Sequence, residues 1–273
     1  HYSFRCGFAG ADLSVLSSFF ERPWSRVVPL AATADSAYIL NETGSALRAL
    51  GRIDVAREPV GTSFDLLRDA SDWEGAVNTC STLVNILLLQ GDITGAKSAA
   101  MKGLALAKRS EDTHFCTVAR VTLAYVLHQL GEFEQATALI KNDIDNQQEL
   151  LCSAGYGLQS VTICDILIDA KDLTRAKTWA HAALRSLDGT KQSREIALHH
   201  IILGTIYLKF RFQRGFGCFG RAAKHSYRAV NGLRSAARWD ELPAALCLSA
   251  SAKWNQGDKG GAKADLDEAW QIA

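Results

Sequence analysis

Few residues in this chain have the types and spacing that chemistry needs. Gly257-Asp-Lys-Gly-Gly-Ala-Lys263 has the glycines and lysine of a phosphate-cradling loop. It lacks the GxxxxGK[ST] order and the strand that must precede it. His199 and His200 are adjacent, and neighbours on a helix point about 100° apart, which does not suit one metal. HExxH and GxSxG are both absent. The seven cysteines (Cys6, Cys80, Cys116, Cys152, Cys164, Cys218 and Cys247) are scattered and odd in number, with no CxxC. They read as buried thiols in a reducing cytoplasm; a metal site or redox switch is the less economical reading. The expectation is a chain with no catalytic residues, no metal and no cofactor.

A spacing does recur, and it concerns architecture. A glycine-led phrase returns every forty residues: G51-R-I-D-V-A56, G91-D-I-T-G-A96, G131-E-F-E-Q-A136 and K171-D-L-T-R-A176. G217-C-F-G-R-A222 and G257-D-K-G-G-A262 follow after a longer gap, again forty apart. An alanine closes all six phrases, and an apolar residue (Ile53, Ile93, Phe133, Leu173, Phe219) stands third in five. A fixed period in this range marks stacked repeats. Before each phrase run apolar residues spaced three and four apart, as in Leu83-Val84-Leu87-Leu88 and Leu123-Ala124-Leu127-Leu130. After it a second such pattern starts, as in Ala56-Val60-Phe64-Leu67 and Ala136-Ile140-Ile144. Each unit therefore reads as helix, tight turn, helix.

The glycine is expected to supply the positive φ that ends the first helix. The alanine lets the second helix approach. Small residues on the first helix (Gly44, Val84, Ala124, Cys164, Gly204 and Ala250) are expected to face it.

These residues resemble the tetratricopeptide repeat family. Its motif places a Leu-Gly pair and an aromatic in the first helix, here Leu203-Gly204 with Tyr207, and Gly, aromatic and Ala around the turn, here Gly131/Phe133/Ala136. The resemblance covers about residues 33–273, with a period longer than the family's usual one. It implies an all-α, right-handed superhelical solenoid of about six helix-turn-helix repeats. The stretches around Leu40–Arg52, Ala70–Trp73 and Asp265–Ala269 look like the arrays of bacterial multidomain signalling NTPases and regulators. In such arrays the first helices line a concave groove. By phase, Asn41, Arg48, Asn85, Tyr125, His128, Asp165, Lys209 and Trp254 face it. Such side chains hydrogen-bond an extended chain and offer aromatic anchors. The implied function is a protein-interaction or sensor module for a protein or peptide segment, including an intramolecular partner domain. A structural or self-associating scaffold, and a receptor for a small-molecule or peptide signal, stay open beside it.

Composition excludes more than it selects. Thirty basic and 29 acidic residues leave a formal charge of +1, which gives no footprint for nucleic acid or an anionic membrane. The longest apolar run, Val84–Leu89, is interrupted by Asn85 and too short to span a bilayer. Residues 1–32 lack the repeat and are expected to form a helical extension or linker, with one helix running through Leu13 to Phe20. The chain begins at His1 and stops at Ala273 inside an expected second helix, which predicts a segment of a longer protein. The segment 209–220 delays the fifth glycine by about six residues and holds four phenylalanines, three basic residues and three glycines. It reads as an extended turn plugged by its aromatics, or as a base-stacking cluster.

Overall fold

The structure is a computed structural model that describes residues 9–29, 32–145, 157–190, 192–210 and 217–272. It is helical throughout, apart from one two-stranded hairpin. Two compact units divide it: Ala9–Asp145, and the residues that follow.

The first unit opens with α1 (Ala9–Ser17), then β1 (Phe20–Arg22) paired antiparallel with β2 (Arg26–Val27). The expected helix through Leu13 thus stops before Phe19. The chain turns at Trp24, whose φ is +65° and whose ring meets Phe20 edge-on at 5.6 Å. Next come α2 (Thr33–Ala49), α3 (Ile53–Asp69), α4 (Trp73–Leu89), α5 (Ile93–Ser110), α6 (Thr113–Gln129), α7 (Phe133–Leu139) and α8 (Lys141–Asp145). The second unit contains α9 (Gly157–Asp169), α10 (Leu173–Ser186), α11 (Ser193–Lys209), α12 (Gly217–Ser235), α13 (Leu242–Asn255) and α14 (Lys259–Ile272).

The forty-residue phrase is the turn inside each pair. Gly51, Gly91, Gly131 and Gly257 have φ between +74° and +89°. Lys171 takes the same conformation without being glycine, at φ +63°. In all five turns one backbone N–H reaches back across the helix end: Arg52 to Leu47, Asp92 to Leu87, Glu132 to Leu127, Asp172 to Leu167 and Asp258 to Lys253, at 2.9–3.0 Å. This closure satisfies carbonyls that the helix end would leave orphaned. Asp72, Asp92, Asp172 and Asp258 then cap the next helix by accepting from the backbone N–H three residues on. Gly217 departs from the pattern: it is the first residue of α12 and ends no helix.

The alanines sit where the helices cross. Ala56, Ala96, Ala136, Ala176 and Ala222 are fully buried, and Ala262 nearly so. Gly44 faces Val60 of α3, and Gly103 faces the Cys80 thiol, where an added Cβ would lie 2.6 Å from sulfur. Gly204 behaves otherwise. A Cβ there would stand 2.7 Å from Leu248 of α13, so it brings two first helices together, not a first helix onto its own partner.

Further departures have local causes. The third repeat's second helix breaks at Ile140 into α7 and α8, where a continuous helix through Ile144 was expected. The break accompanies a buried tether: Asp143 of α8 accepts from Arg120 of α6 at 2.6 and 3.0 Å. Phe133, third in its phrase, is exposed and not packed beneath the turn. Cys80, Cys164 and Cys218 are buried as expected, but Cys116 is only half-buried and Cys247 is exposed; Cys6 and Cys152 lie outside the described residues. So do residues 211–216 of the 209–220 insertion, whose described ends are helical: Lys209 closes α11 and residues 217–220 open α12. No helix is long and apolar enough to cross a membrane among the described residues.

Candidate functional site

The predicted partner-binding residues lie on the first helices of their pairs, within two separate units. In the first unit α4 packs against both α2 and α6. Ser81 and Thr122 share a hydrogen bond of 3.0 Å between α4 and α6. On these helices stand Asn41, Arg48, Asn85, Tyr125 and His128, all half-buried. Asn85 donates its amide to Ser81 O of its own helix at 2.9 Å. Asn41 Oδ1 is buried with no hydrogen-bond donor among the described residues. The His128 ring meets Phe133 edge-on at 5.3 Å, placing an exposed aromatic at the helix end.

In the second unit α9, α11 and α13 lie side by side. Asp165 of α9 is half-buried. Burial pushes its carboxyl up to about 7, and the neighbouring Asp169 charge adds to the rise. Asp169 in turn faces Lys209 Nζ of α11 at 3.8 Å. Trp254 on α13 is 59% exposed, and Lys259 Nζ lies 5.4 Å from its ring centre. The eight residues thus divide between the units, with Asn41, Arg48, Asn85, Tyr125 and His128 on α2, α4 and α6 and Asp165, Lys209 and Trp254 on α9, α11 and α13.

Two constellations were not legible in the sequence. Ser160 of α9 and His199 of α11 are sealed from solvent, with Ser160 Oγ 2.5 Å from His199 Nε2. His199 Nδ1 faces Glu195 O at 2.7 Å, so Nδ1 carries the proton and Nε2 accepts from the hydroxyl. A serine–histidine pair has the makings of a nucleophile and base. Complete burial keeps any substrate from it, and it ties two helices together instead. The second constellation joins His181 of α10, His200 and Tyr207 of α11 and His225 of α12. His200 and His225 approach Nδ1 to Nδ1 at 3.1 Å, and the His225 ring stacks on Tyr207 at 5.5 Å. Among the described residues no three His, Cys, Asp or Glu side chains are grouped to hold a metal.

No family model and no curated protein matches the sequence. A Rap conjugation gene regulator of plasmid pLS20, solved in complex with the Phr* peptide, superposes with TM-score 0.68 over 99% of this chain and 69% of its own, at 15% identity. A Rap protein complexed with Competence and Sporulation Factor gives 0.62 over 89% and 65%, at 12% identity. BtubC (BKLC) from P. vanneervenii gives 0.55 over 89% and 91%, at 18% identity. The fold is a tetratricopeptide-like all-α solenoid. At these identities the likeness speaks for the fold alone, and the chain spans about two-thirds of the Rap structures.

Proposed function

We propose that this chain is a non-catalytic interaction or sensor module. It binds a protein or peptide segment along the polar face of its first helices and regulates an attached or partner signalling domain. What supports the reading is that half-buried Asn, Tyr and His side chains occur on the successive first helices α2, α4 and α6 of the first unit and, separately, Asp165, Lys209 and Trp254 on α9, α11 and α13 of the second. An open row of polar groups suits an extended chain. A small molecule needs a closed, mostly apolar pocket. The occupants named for two Rap neighbours, Phr* peptide and Competence and Sporulation Factor, belong to those proteins and lend the reading support by analogy of fold. With a formal charge of +1, side-chain fit governs the contact, and affinity varies weakly with salt. Residues 33–273 act as the array and 1–32 as its cap. The five free thiols among the described residues suit a reducing cytoplasm.

The test is selection of peptides from a randomised display library on the full chain. Tyr125→Ala combined with Trp254→Ala follows. Loss of selected peptides from a variant that keeps its helical signal supports the proposal. Unchanged capture sinks it.

A further inference from the structure

Helices α10 and α12 both pack on α11, and between them α11 forms the floor of a groove. Its floor is His200 and Tyr207, both largely buried. One wall carries Lys177, His181 and Arg185 of α10. The other carries Arg221, Lys224, His225 and Arg228 of α12. The two walls converge on one ring: Lys177 Nζ lies 5.3 Å and Arg221 Cζ 5.6 Å from the Tyr207 centre. His225 stacks on that ring and meets His200.

What sets the groove apart is the sign of its charge. The chain as a whole is nearly neutral. Elsewhere the more buried cations are matched, as are some on the surface: Arg120 by Asp143, Arg194 by Glu241, Arg234 by Glu268 and Arg238 by Asp240. Lys177, Arg185, Arg221, Lys224 and Arg228 have no carboxylate partner among the described residues. Every charge acting on the three histidines is of positive sign: Lys177 and Arg185 on His181; His225, Arg228, His199 and His181 on His200; and Arg228, His181 and Lys224 on His225. Five cations from two helices around a buried aromatic floor repel one another unless an anion joins them.

We propose that the groove between α10 and α12 is an anion site that takes a phosphate monoester, held by Lys177, Arg221 and Arg228 with His181 and His225 as further donors. A dianion with three acceptor oxygens matches several separated donors better than a single carboxylate does. Arginine presents a planar fork to such oxygens, and lysine a point charge. Phosphate entry favours the protonated imidazoles, so His225 gains a second donor N–H as the ligand binds. The monoester is either a free small phosphate or a phosphorylated side chain of a protein.

The test uses the full chain with inorganic phosphate, against chloride and acetate at equal ionic strength. Phosphate is expected to raise the thermal midpoint by about 2–5 °C and to move the His181 and His225 imidazole resonances toward the protonated form. Lys177→Gln with Arg221→Gln, at sites on the groove walls, is expected to weaken phosphate binding about tenfold or more. Acetate acting as strongly as phosphate, or a double variant that responds like the native chain, overturns the proposal. A phosphoserine peptide then identifies the source. Tighter binding of the peptide assigns a modified protein, and binding no tighter than inorganic phosphate assigns a free small phosphate. Binding of neither overturns the site.

Discussion

The Ser160 hydroxyl and the His199 ring meet at 2.5 Å across the α9–α11 contact, both sealed from solvent. With Nδ1 occupied by Glu195 O, Nε2 has one available donor, and Ser160 supplies it. Ser160→Ala leaves that nitrogen buried and unsatisfied, a penalty of about 1–3 kcal/mol. Urea denaturation should show the loss. An unchanged midpoint would mean that the pair contributes nothing to the second unit.

The histidines also set the pH response. Burial holds His199, His200 and His225 down at about 4, against an ordinary 6.5, and neighbouring positive charge adds to the depression of His200 and His225. Between pH 6.5 and 4 the unfolded chain therefore binds more protons than the folded one. Their contribution to stability is present above 6.5 and is lost as pH falls toward 4. Asp165, raised from 3.8 to about 7, has the opposite sign: the folded chain holds its proton longer, so its contribution weakens as pH rises. Three groups against one predict stability rising from pH 4 to 6.5. Asp165→Asn should steepen that rise. Urea midpoints across the range check both statements.

Ala136 is fully buried at the α6–α7 crossing. Ala136→Leu forces three further heavy atoms into a closed contact and should destabilise by roughly 1–3 kcal/mol. A neutral thermal midpoint would contradict the forty-residue register.

Lys171 occupies the left-handed turn position that glycine fills in four other pairs, with φ +63°. A side chain there costs of order 1 kcal/mol. Lys171→Gly should therefore raise stability by up to about that amount, measured by thermal or urea unfolding. A loss would show that the lysine side chain makes a compensating contact.

The repeat was legible because its demands are local and recur: a left-handed residue at Gly51, Gly91 and Gly131, and a small residue at each crossing. Lys171 could be assigned from phase alone. What escaped depends on partners far along the chain. The break at Ile140 answers to Arg120 of another helix. Gly204 serves α13, not its own pair. The hairpin at Phe20–Val27 replaces the expected end of a helix, because apolar residues such as Phe19 and Phe20 suit strand and helix alike. The basic groove was hidden for a geometric reason. Lys177 and His181 follow Ala176 by one and five residues, while Arg221 precedes Ala222 by one and His225 follows it by three. Opposite flanks of successive helices face each other, and a search at constant phase misses them. The first-helix residues were placed by phase on the expected helices, but what they bind was not readable, since Asn, Tyr and His suit many partners.

The most direct measurement is amide hydrogen exchange on the full chain, with and without a library-selected peptide. Occupation of the first-helix face predicts new protection on α2, α4 and α6, or on α9, α11 and α13, centred near Asn85, Tyr125 and Trp254. Protection confined to second helices such as α3, α5 and α10, or absent while the peptide is bound, would contradict it.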